Sequence, residues 1–262
     1  MTRFLQMIAS LLIAVFMLGA GFAQTQSSES LNPILVELFT SEGCSSCPPA
    51  DALLEKLNRL QPVRGARLIV LSEHVDYWNH AGWEDPYSSH LYSERQSVYA
   101  DRFGLSSDYT PQMVVDGRRQ FVGNNAQAAE QALADAAKRP KIHVMVSNIF
   151  IDAEHNVRAH IEVDGSLLIS SKKKAEVYVA LVLTHAESQV TGGENTGRKI
   201  SHTNVVRRLV NVGIMPAGQM FARDIQLRTE RGIDPTNLQV VAFVQDADLG
   251  QILGSGISTV ER

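Results

Sequence analysis

The chain has 262 residues, of which 24 are basic and 28 acidic, and its formal net charge at pH 7 is −4. This balance excludes the basic surface that a nucleic-acid-binding protein needs, so we expect no nucleic-acid partner. The sequence contains no repeat or low-complexity tract, and its length favours two domains of ordinary size.

Residues 1–23 predict a secretory signal peptide. Arg3 precedes an apolar stretch over residues 5–22, and a small-x-small pattern ends at Ala23. We expect cleavage there, then a polar tether over residues 24–32, and a periplasmic or secreted protein in a compartment where disulfides persist. The alternative is an uncleaved anchor, because the apolar stretch approaches the roughly 20 residues that span a bilayer. A membrane is a partner only in that case.

The only two cysteines, Cys44 and Cys47, stand between a predicted strand over residues 34–39 and a predicted helix over residues 48–57 that begins with proline. A disulfide between them would close a very small ring, for which the chain-entropy estimate gives only about 2 kcal/mol of stabilisation. A Cys-x-x-Cys between a strand and a helix instead indicates a redox site.

The following elements are also predicted from local patterns. A strand is expected over residues 67–71 and a helix over about residues 88–103. An Asp-Gly turn indicates a hairpin over residues 112–122, and an Ala-rich helix ends before Pro140. The predicted order is β-α-β-α-β-β-α. From Ile142 onward, short alternating strands separated by polar turns predict an antiparallel sandwich.

This order, with Cys-x-x-Cys at the start of the first helix and Thr110-Pro111 before the third strand, resembles the thioredoxin fold over residues 33–140. The resemblance implies that Pro111 is cis and faces the redox pair, whereas an ordinary trans proline is the alternative. We therefore expect an α/β thioredoxin-like N-terminal domain followed by an all-β antiparallel sandwich domain over residues 141–262.

Other motifs resemble a bacterial family of predicted secreted proteins, known as domain of unknown function 1223. The resemblance implies a fold and a compartment, but no reaction. It is carried by residues 36–51, His74-Val75-Asp76-Tyr77-Trp78, Gly82-Trp83-Glu84-Asp85-Pro86, Arg95-Gln96, Gly193-Glu194-Asn195, His202 and Asn204-Val205-Val206-Arg207.

The two cysteines have different expected roles. Cys44 is the expected nucleophile, because the positive end of a helix favours its thiolate. Cys47, one turn inside and less exposed, is the expected resolving thiol. The intervening serines add no positive charge, and Glu42 would disfavour the thiolate by repulsion. The redox direction stays open.

Glu37 is the candidate proton relay, because thioredoxins often carry a buried carboxylate in the preceding strand. It lies one residue further from Cys44 than is usual in that family. A shift of one residue moves a side chain to the other face of a strand, unless a bulge or the longer turn absorbs it. The alternative is a structural carboxylate satisfied by nearby backbone or an arginine.

An aromatic-rich segment over residues 73–99 predicts an ordered insertion that forms one wall of a substrate groove, with a second small core as the alternative. We expect His74, Trp78 and Trp83, together with Thr110, to contact the substrate, and His74 is the histidine expected nearest the cysteines. The Gly-rich loop over residues 188–203 is either a plain hairpin connection or reaches over to the first domain. In the second case, His202 and Arg207 become the residues to test.

We predict thiol-disulfide exchange through Cys44 and Cys47 with a protein or a small thiol or disulfide, without a cofactor or a bound metal. One alternative is a periplasmic copper-binding or delivery module, in which the two thiolates and His74 supply soft ligands. Another is a non-catalytic interaction protein with an inert disulfide. The sequence does not indicate an oligomeric state.

Overall fold

The computed structural model describes residues 31–168, 174–216, 218–230, 232–247 and 250–260. The predicted signal peptide and most of the predicted tether lie outside these residues. Among the residues described, no helix is both long enough and apolar enough to cross a membrane.

The first half contains four strands and three α-helices in the order expected from the sequence. They are β1 (Asn32–Thr40), α1 (Pro48–Leu60), β2 (Ala66–His74), α2 (His90–Phe103), β3 (Gln112–Val115), β4 (Arg119–Val122) and α3 (Ala126–Ala136). The second half supplies β5 (Val144–Ile151), β6 (Asn156–Asp164), β7 (Ala175–Gln189), β8 (Lys199–Met215), β9 (Met220–Arg228), β10 (Leu238–Asp246) and β11 (Ile252–Thr259).

Local sequence signals explain where the helices begin and end. The Ser89 hydroxyl accepts from Leu91 N at the start of α2, and Gly104 ends this helix with a φ of 67°. At the start of α3, Asn125 Oδ1 accepts from Ala128 N at 3.0 Å. These caps satisfy backbone groups that a helix leaves unpaired at its ends.

The predicted fold class is wrong. Eight strands from both halves form one mixed sheet in the order β11-β10-β7-β8-β2-β1-β3-β4, and β5-β6-β9 form a smaller sheet. The halves join where β8 pairs in parallel with β2 at Ser72 and Val205. The described chain is therefore mostly β around a shared sheet, and not an α/β thioredoxin-like domain followed by an all-β antiparallel sandwich.

Burial explains why the strands merge. Except for Arg67, every residue of β2 is buried, so this strand would be an unprotected hydrophobic edge if the first half stood alone. Most residues of β10 are likewise buried on both of its faces. Strands of this kind belong inside a sheet that is covered on both sides.

The large sheet separates two groups of buried side chains in the first half. Ile34, Val36 and Leu38 of β1 face the core that includes residues of α1 and α3. Leu35 of the same strand faces away, in a core with Tyr92 of α2 and residues of β7, β8 and β10. Because neighbouring residues of a strand alternate between faces, β1 determines which side chains approach the cysteine turn.

Candidate functional site

Cys44 and Cys47 form a disulfide in the turn between β1 and α1, with their Cα atoms 5.4 Å apart. Cys44 N donates to Ser41 O at 3.2 Å, and Cys47 N donates to Cys44 O at 3.2 Å. Both cysteines have 0% relative exposure, including Cys44, which was expected to be the more accessible. Ser45 and Ser46 between them are exposed.

The start of α1 offers fewer backbone donors than a typical helix. Cys47 is the N-cap, and Pro48 and Pro49 follow it, so the first two helical positions carry no N–H group. The next two, Ala50 N and Asp51 N, donate to Cys47 O at 2.8 and 3.1 Å. The helix terminus therefore favours a thiolate less than the sequence pattern suggested. The Ser46 hydroxyl, 3.3 Å from Cys44 Sγ, can donate to it directly.

Pro111 lies near the start of α1. The Thr110–Pro111 peptide bond is cis, as expected. A Cβ atom added at Gly123 would lie 2.8 Å from a Leu38 side-chain carbon, 3.0 Å from Pro111 Cβ and 3.1 Å from Ala50 Cβ. Pro111 and Ala50, in the first turn of α1, therefore lie on either side of the same glycine.

The two tryptophans tie the aromatic segment to the cysteine turn. Trp78 Nε1 donates to Thr110 Oγ1 at 2.7 Å, and a Cβ atom at Gly43 would lie 3.0 Å from Trp78 Cβ. Trp83 Nε1 donates to Glu42 Oε2 at 2.8 Å. The structure thus brings Trp78, Trp83 and Thr110 together at the turn.

His74 lies behind the same turn, fully buried at the end of β2. Its Nδ1 is 2.7 Å from Asp85 Oδ2, which also accepts from Glu42 N at 2.8 Å. Burial alone would raise the pKa of Asp85. The His74 ring and the hydrogen bonds from Glu42 N and Tyr87 N outweigh this effect, so the pKa of Asp85 is lowered from its usual value.

The β7–β8 connection, residues 190–198, contacts the cysteine turn, and we call it the covering loop. Asn195 Nδ2 donates to Glu42 O and to Cys44 O, both at 2.9 Å. Glu194 Oε2 accepts from Ser45 N at 3.0 Å, and hydrogen bonds from the side chain and the backbone of Ser45 lower the pKa of Glu194. The loop reaches the first half of the chain, which is the second of the two arrangements considered from the sequence.

His202, three residues into β8, lies beneath the turn. Its Nε2 is 3.2 Å from Glu42 Oε1, its Nδ1 is 3.8 Å from Asp51 Oδ1, and its ring centroid is 4.5 Å from that of His74. Burial lowers the pKa of His202, but contacts and charges of Asp51 and Glu42 outweigh burial and raise the pKa to about 10. Glu42 therefore faces an imidazolium.

Glu37 is not brought to the cysteine turn. Its Oε1 accepts from Arg95 Nε at 2.7 Å and its Oε2 from Tyr99 OH at 2.7 Å. Arg95 and Tyr99 belong to α2, on the sheet face away from α1. The one extra residue between Glu37 and Cys44 explains this placement, because a shift of one residue moves a side chain to the other face of a strand. This contact favours the structural role for Glu37 over the proton relay.

Arg207 also lies elsewhere. It donates to Pro86 O at 3.1 Å and pairs with Glu230 at 2.6 Å.

The sequence alone does not identify Asp51 or Asn195 as a site residue, because each gains its role from a segment that is distant in sequence. Among the residues described, no group of three or more His, Cys, Asp or Glu side chains is arranged to hold a metal ion.

Comparisons with known proteins identify relatives. The crystal structure of a protein from Agrobacterium tumefaciens is 26% identical to this chain, covers 87% of it and 97% of its own length, and gives a TM-score of 0.64. A domain of the outer membrane lipoprotein Omp28 from Porphyromonas gingivalis is 15% identical, covers 46% of this chain and 88% of that domain, and gives a TM-score of 0.32. A search of curated proteins gives no match.

The comparisons do not confirm the resemblance to the thioredoxin superfamily. A family model described as "Protein of unknown function (DUF1223)" matches residues 35–245, which is most of the chain. The protein therefore belongs to this family.

Proposed function

We propose that the protein exchanges thiols and disulfides with a protein or a small thiol through Cys44 and Cys47. The main support is the position of the disulfide, which closes a turn of two exposed serines immediately before a helix. A ring of this size adds only about 2 kcal/mol of stability in the chain-entropy estimate, which is little reason to keep it as a staple. Export is part of the proposal and depends on residues 1–23.

The chemistry requires only the two sulfurs. In the reduced protein, the Cys44 thiolate attacks a partner disulfide, a mixed disulfide forms, and one partner thiolate leaves. The Cys47 thiolate then attacks Cys44 Sγ, which restores the intramolecular disulfide and releases the second partner thiolate. Two electrons pass to the partner, and its thiolates take up the two protons that the cysteines lose. The reverse sequence reduces the pair.

Exchange requires a local opening around the disulfide, because neither cysteine has exposed surface, and the covering loop is the segment that we propose opens. The loop is held on the turn by two hydrogen bonds from Asn195 and one to Glu194. A typical buried hydrogen bond adds about 1 kcal/mol net, so the two bonds from Asn195 hold the loop by about 2 kcal/mol. Local openings of this size occur in folded proteins.

A trapping experiment tests the exchange. A Cys47→Ser variant, expressed in its native compartment, keeps the nucleophile but cannot resolve a mixed disulfide. We expect a reductant-sensitive adduct on Cys44 that is absent from the matched Cys44→Ser/Cys47→Ser variant. The proposal fails if no adduct forms and the wild-type pair equilibrates with no physiological thiol.

The full burial of both sulfurs favours one competing function, a non-catalytic interaction protein with an inert disulfide. The two functions differ in the behaviour of Cys44 after mild reduction. An exchanging site becomes alkylated at the rate at which the covering loop opens, whereas an inert site resists alkylation until the whole protein unfolds. Alkylation rates measured alongside global unfolding rates separate these outcomes.

A further inference from the structure

A buried cluster of two carboxylates and one imidazole lies around the disulfide. Glu42 precedes Cys44 by two residues, and Asp51 follows Cys47 by four. His202 lies between them, 3.2 Å from Glu42 Oε1 and 3.8 Å from Asp51 Oδ1. The three residues are only 1%, 6% and 3% exposed in the order Glu42, Asp51 and His202, so water screens their charges poorly.

Asp51 leans toward the resolving cysteine. Asp51 N donates to Cys47 O at 3.1 Å, the i to i+4 bond of an α-helix, so the two side chains share one helix face. Side chains on a helix tilt toward its N-terminus, and this direction takes the Asp51 carboxylate toward Cys47. The Thr40 hydroxyl donates to Asp51 Oδ1 at 3.0 Å and fixes its orientation.

Few other charges reach the imidazole. His74 approaches edge-on at 4.5 Å between ring centroids, and Tyr87 at 5.9 Å. The Asp85 carboxylate is directed at His74 instead, with its Oδ2 atom 2.7 Å from His74 Nδ1. The charges that face His202 from the turn and from α1 are therefore those of Glu42 and Asp51.

We propose that His202, supplied by β8, is a positioning residue of the redox site, and that its positive charge offsets Glu42 and Asp51 and so favours the thiolate forms of the reduced cysteines. The proposal rests on the exchange function, for which a thiolate is the reacting form. It assigns to the C-terminal half a direct electrostatic part in chemistry carried out by the N-terminal half.

Opposite shifts in two variants test the proposal. In the fully reduced protein, the titration of the cysteines is followed through the ultraviolet absorbance of the thiolate, which needs neither a partner nor a reagent that must reach the sulfur. His202→Gln removes a positive charge and should raise the first thiol pKa by about one unit, whereas Asp51→Asn removes a negative charge and should lower it by about one unit. His185→Gln, an exposed histidine on β7, is the matched control and should leave it unchanged.

A merely structural role predicts a different result. Both substitutions would then loosen the same cluster and move the thiol pKa in the same direction or not at all, and either outcome overturns the proposal. If His202→Gln does not fold, nuclear magnetic resonance of the wild-type ring decides the question. A charged His202 shows no titration between about pH 5 and 8, and a ring that titrates there overturns the proposal.

The test is independent of the trapping experiment. The thiol pKa values can respond as predicted even if no mixed disulfide is captured, in which case the exchange function fails while the electrostatic arrangement stands. If a partner is captured but the two variants leave the thiol pKa values unchanged, the exchange function stands and the electrostatic role of His202 fails.

Discussion

Two groups of buried acids differ in how their charge is balanced. Glu42 at the disulfide faces the His202 imidazolium and accepts from Trp83. On the other face of the sheet, Glu37 and Glu73 share Arg95, which is 2.6 Å from Glu37 Oε1 but 3.7 Å from Glu73 Oε2. Burial, with a further contribution from the Glu37 charge, raises the pKa of Glu73 well above its usual value.

This difference predicts a pH-dependent effect of Glu73→Gln. Folded wild-type protein holds the Glu73 proton to a higher pH than unfolded protein, so this group's contribution to the free energy of unfolding falls as the pH rises above 4.5, the usual pKa, and through the folded pKa. Glutamine cannot ionise. The stability of Glu73→Gln relative to wild type should therefore increase over that pH range in urea unfolding.

Glu37→Gln is the matched control. It removes the carboxylate that accepts from Arg95 and Tyr99, so we expect destabilisation by about 3 kcal/mol at neutral pH. A Glu73→Gln difference that is constant from acidic to neutral pH would contradict the assigned protonation of Glu73.

Local motifs revealed some site residues and concealed others. Cys44, Cys47 and Pro111 were recognisable because their meaning depends on neighbours along the chain. Asn195 has no comparable signal, since its role comes from carbonyl groups more than 150 residues away. His202 was singled out only as a conditional candidate, because a histidine acquires a shifted pKa from contacts that a sequence does not display.

The covering loop bonds to the turn that carries the buried disulfide. The backbones of its glycines approach the aromatic segment closely, and a Cβ atom at Gly192 would lie only 2.2 Å from Gly82 O. Glycine therefore permits the loop to lie flat against this segment while Asn195 bonds to the cysteine turn. The element acts as a closed cover held by a few polar contacts.

Asn195→Ala should weaken this cover. The substitution removes two hydrogen bonds to the turn, at about 1 kcal/mol each, and so should increase the open fraction roughly 30-fold. The expected result is a similar increase in the rate at which a small thiol reduces the disulfide. Thr191→Ala, in the same loop, is the control and should react like wild type. Equal rates in Asn195→Ala and wild type would show that the loop does not limit access.

For whole elements, the sequence predicted the bounds of a helix better than the surface against which a loop packs. The predicted helix over residues 48–57 corresponds to Pro48–Leu60, because apolar spacing and prolines at the start are local signals. The polar loop after β7 allowed two arrangements, since hydrophobic periodicity carries no information about the surface on which a loop settles.

The whole molecule is built around a sheet that both halves share, and this feature was missed. β2 and β8 pair in parallel through a single residue pair, Ser72 and Val205. A pairing this short produces no recognisable sequence pattern in either strand. Buried side chains nevertheless join the halves. Leu35, Ile69 and Leu71 lie in one core with Val206, Phe243 and other residues of the second half.

The shared core predicts that residues 31–140 do not fold alone. Without the second half, Leu35, Ile69 and Leu71 lose their covering side chains, and each exposed large apolar side chain costs about 1.5–3 kcal/mol. The sum is comparable with the whole stability of an ordinary domain, about 5–15 kcal/mol. In urea unfolding followed by circular dichroism, we expect no cooperative transition for the fragment. The chain from residue 31 to 262 should unfold in one cooperative transition. A cooperative transition in the fragment would mean that the first half is independently stable and that its pairing with β8 is dispensable.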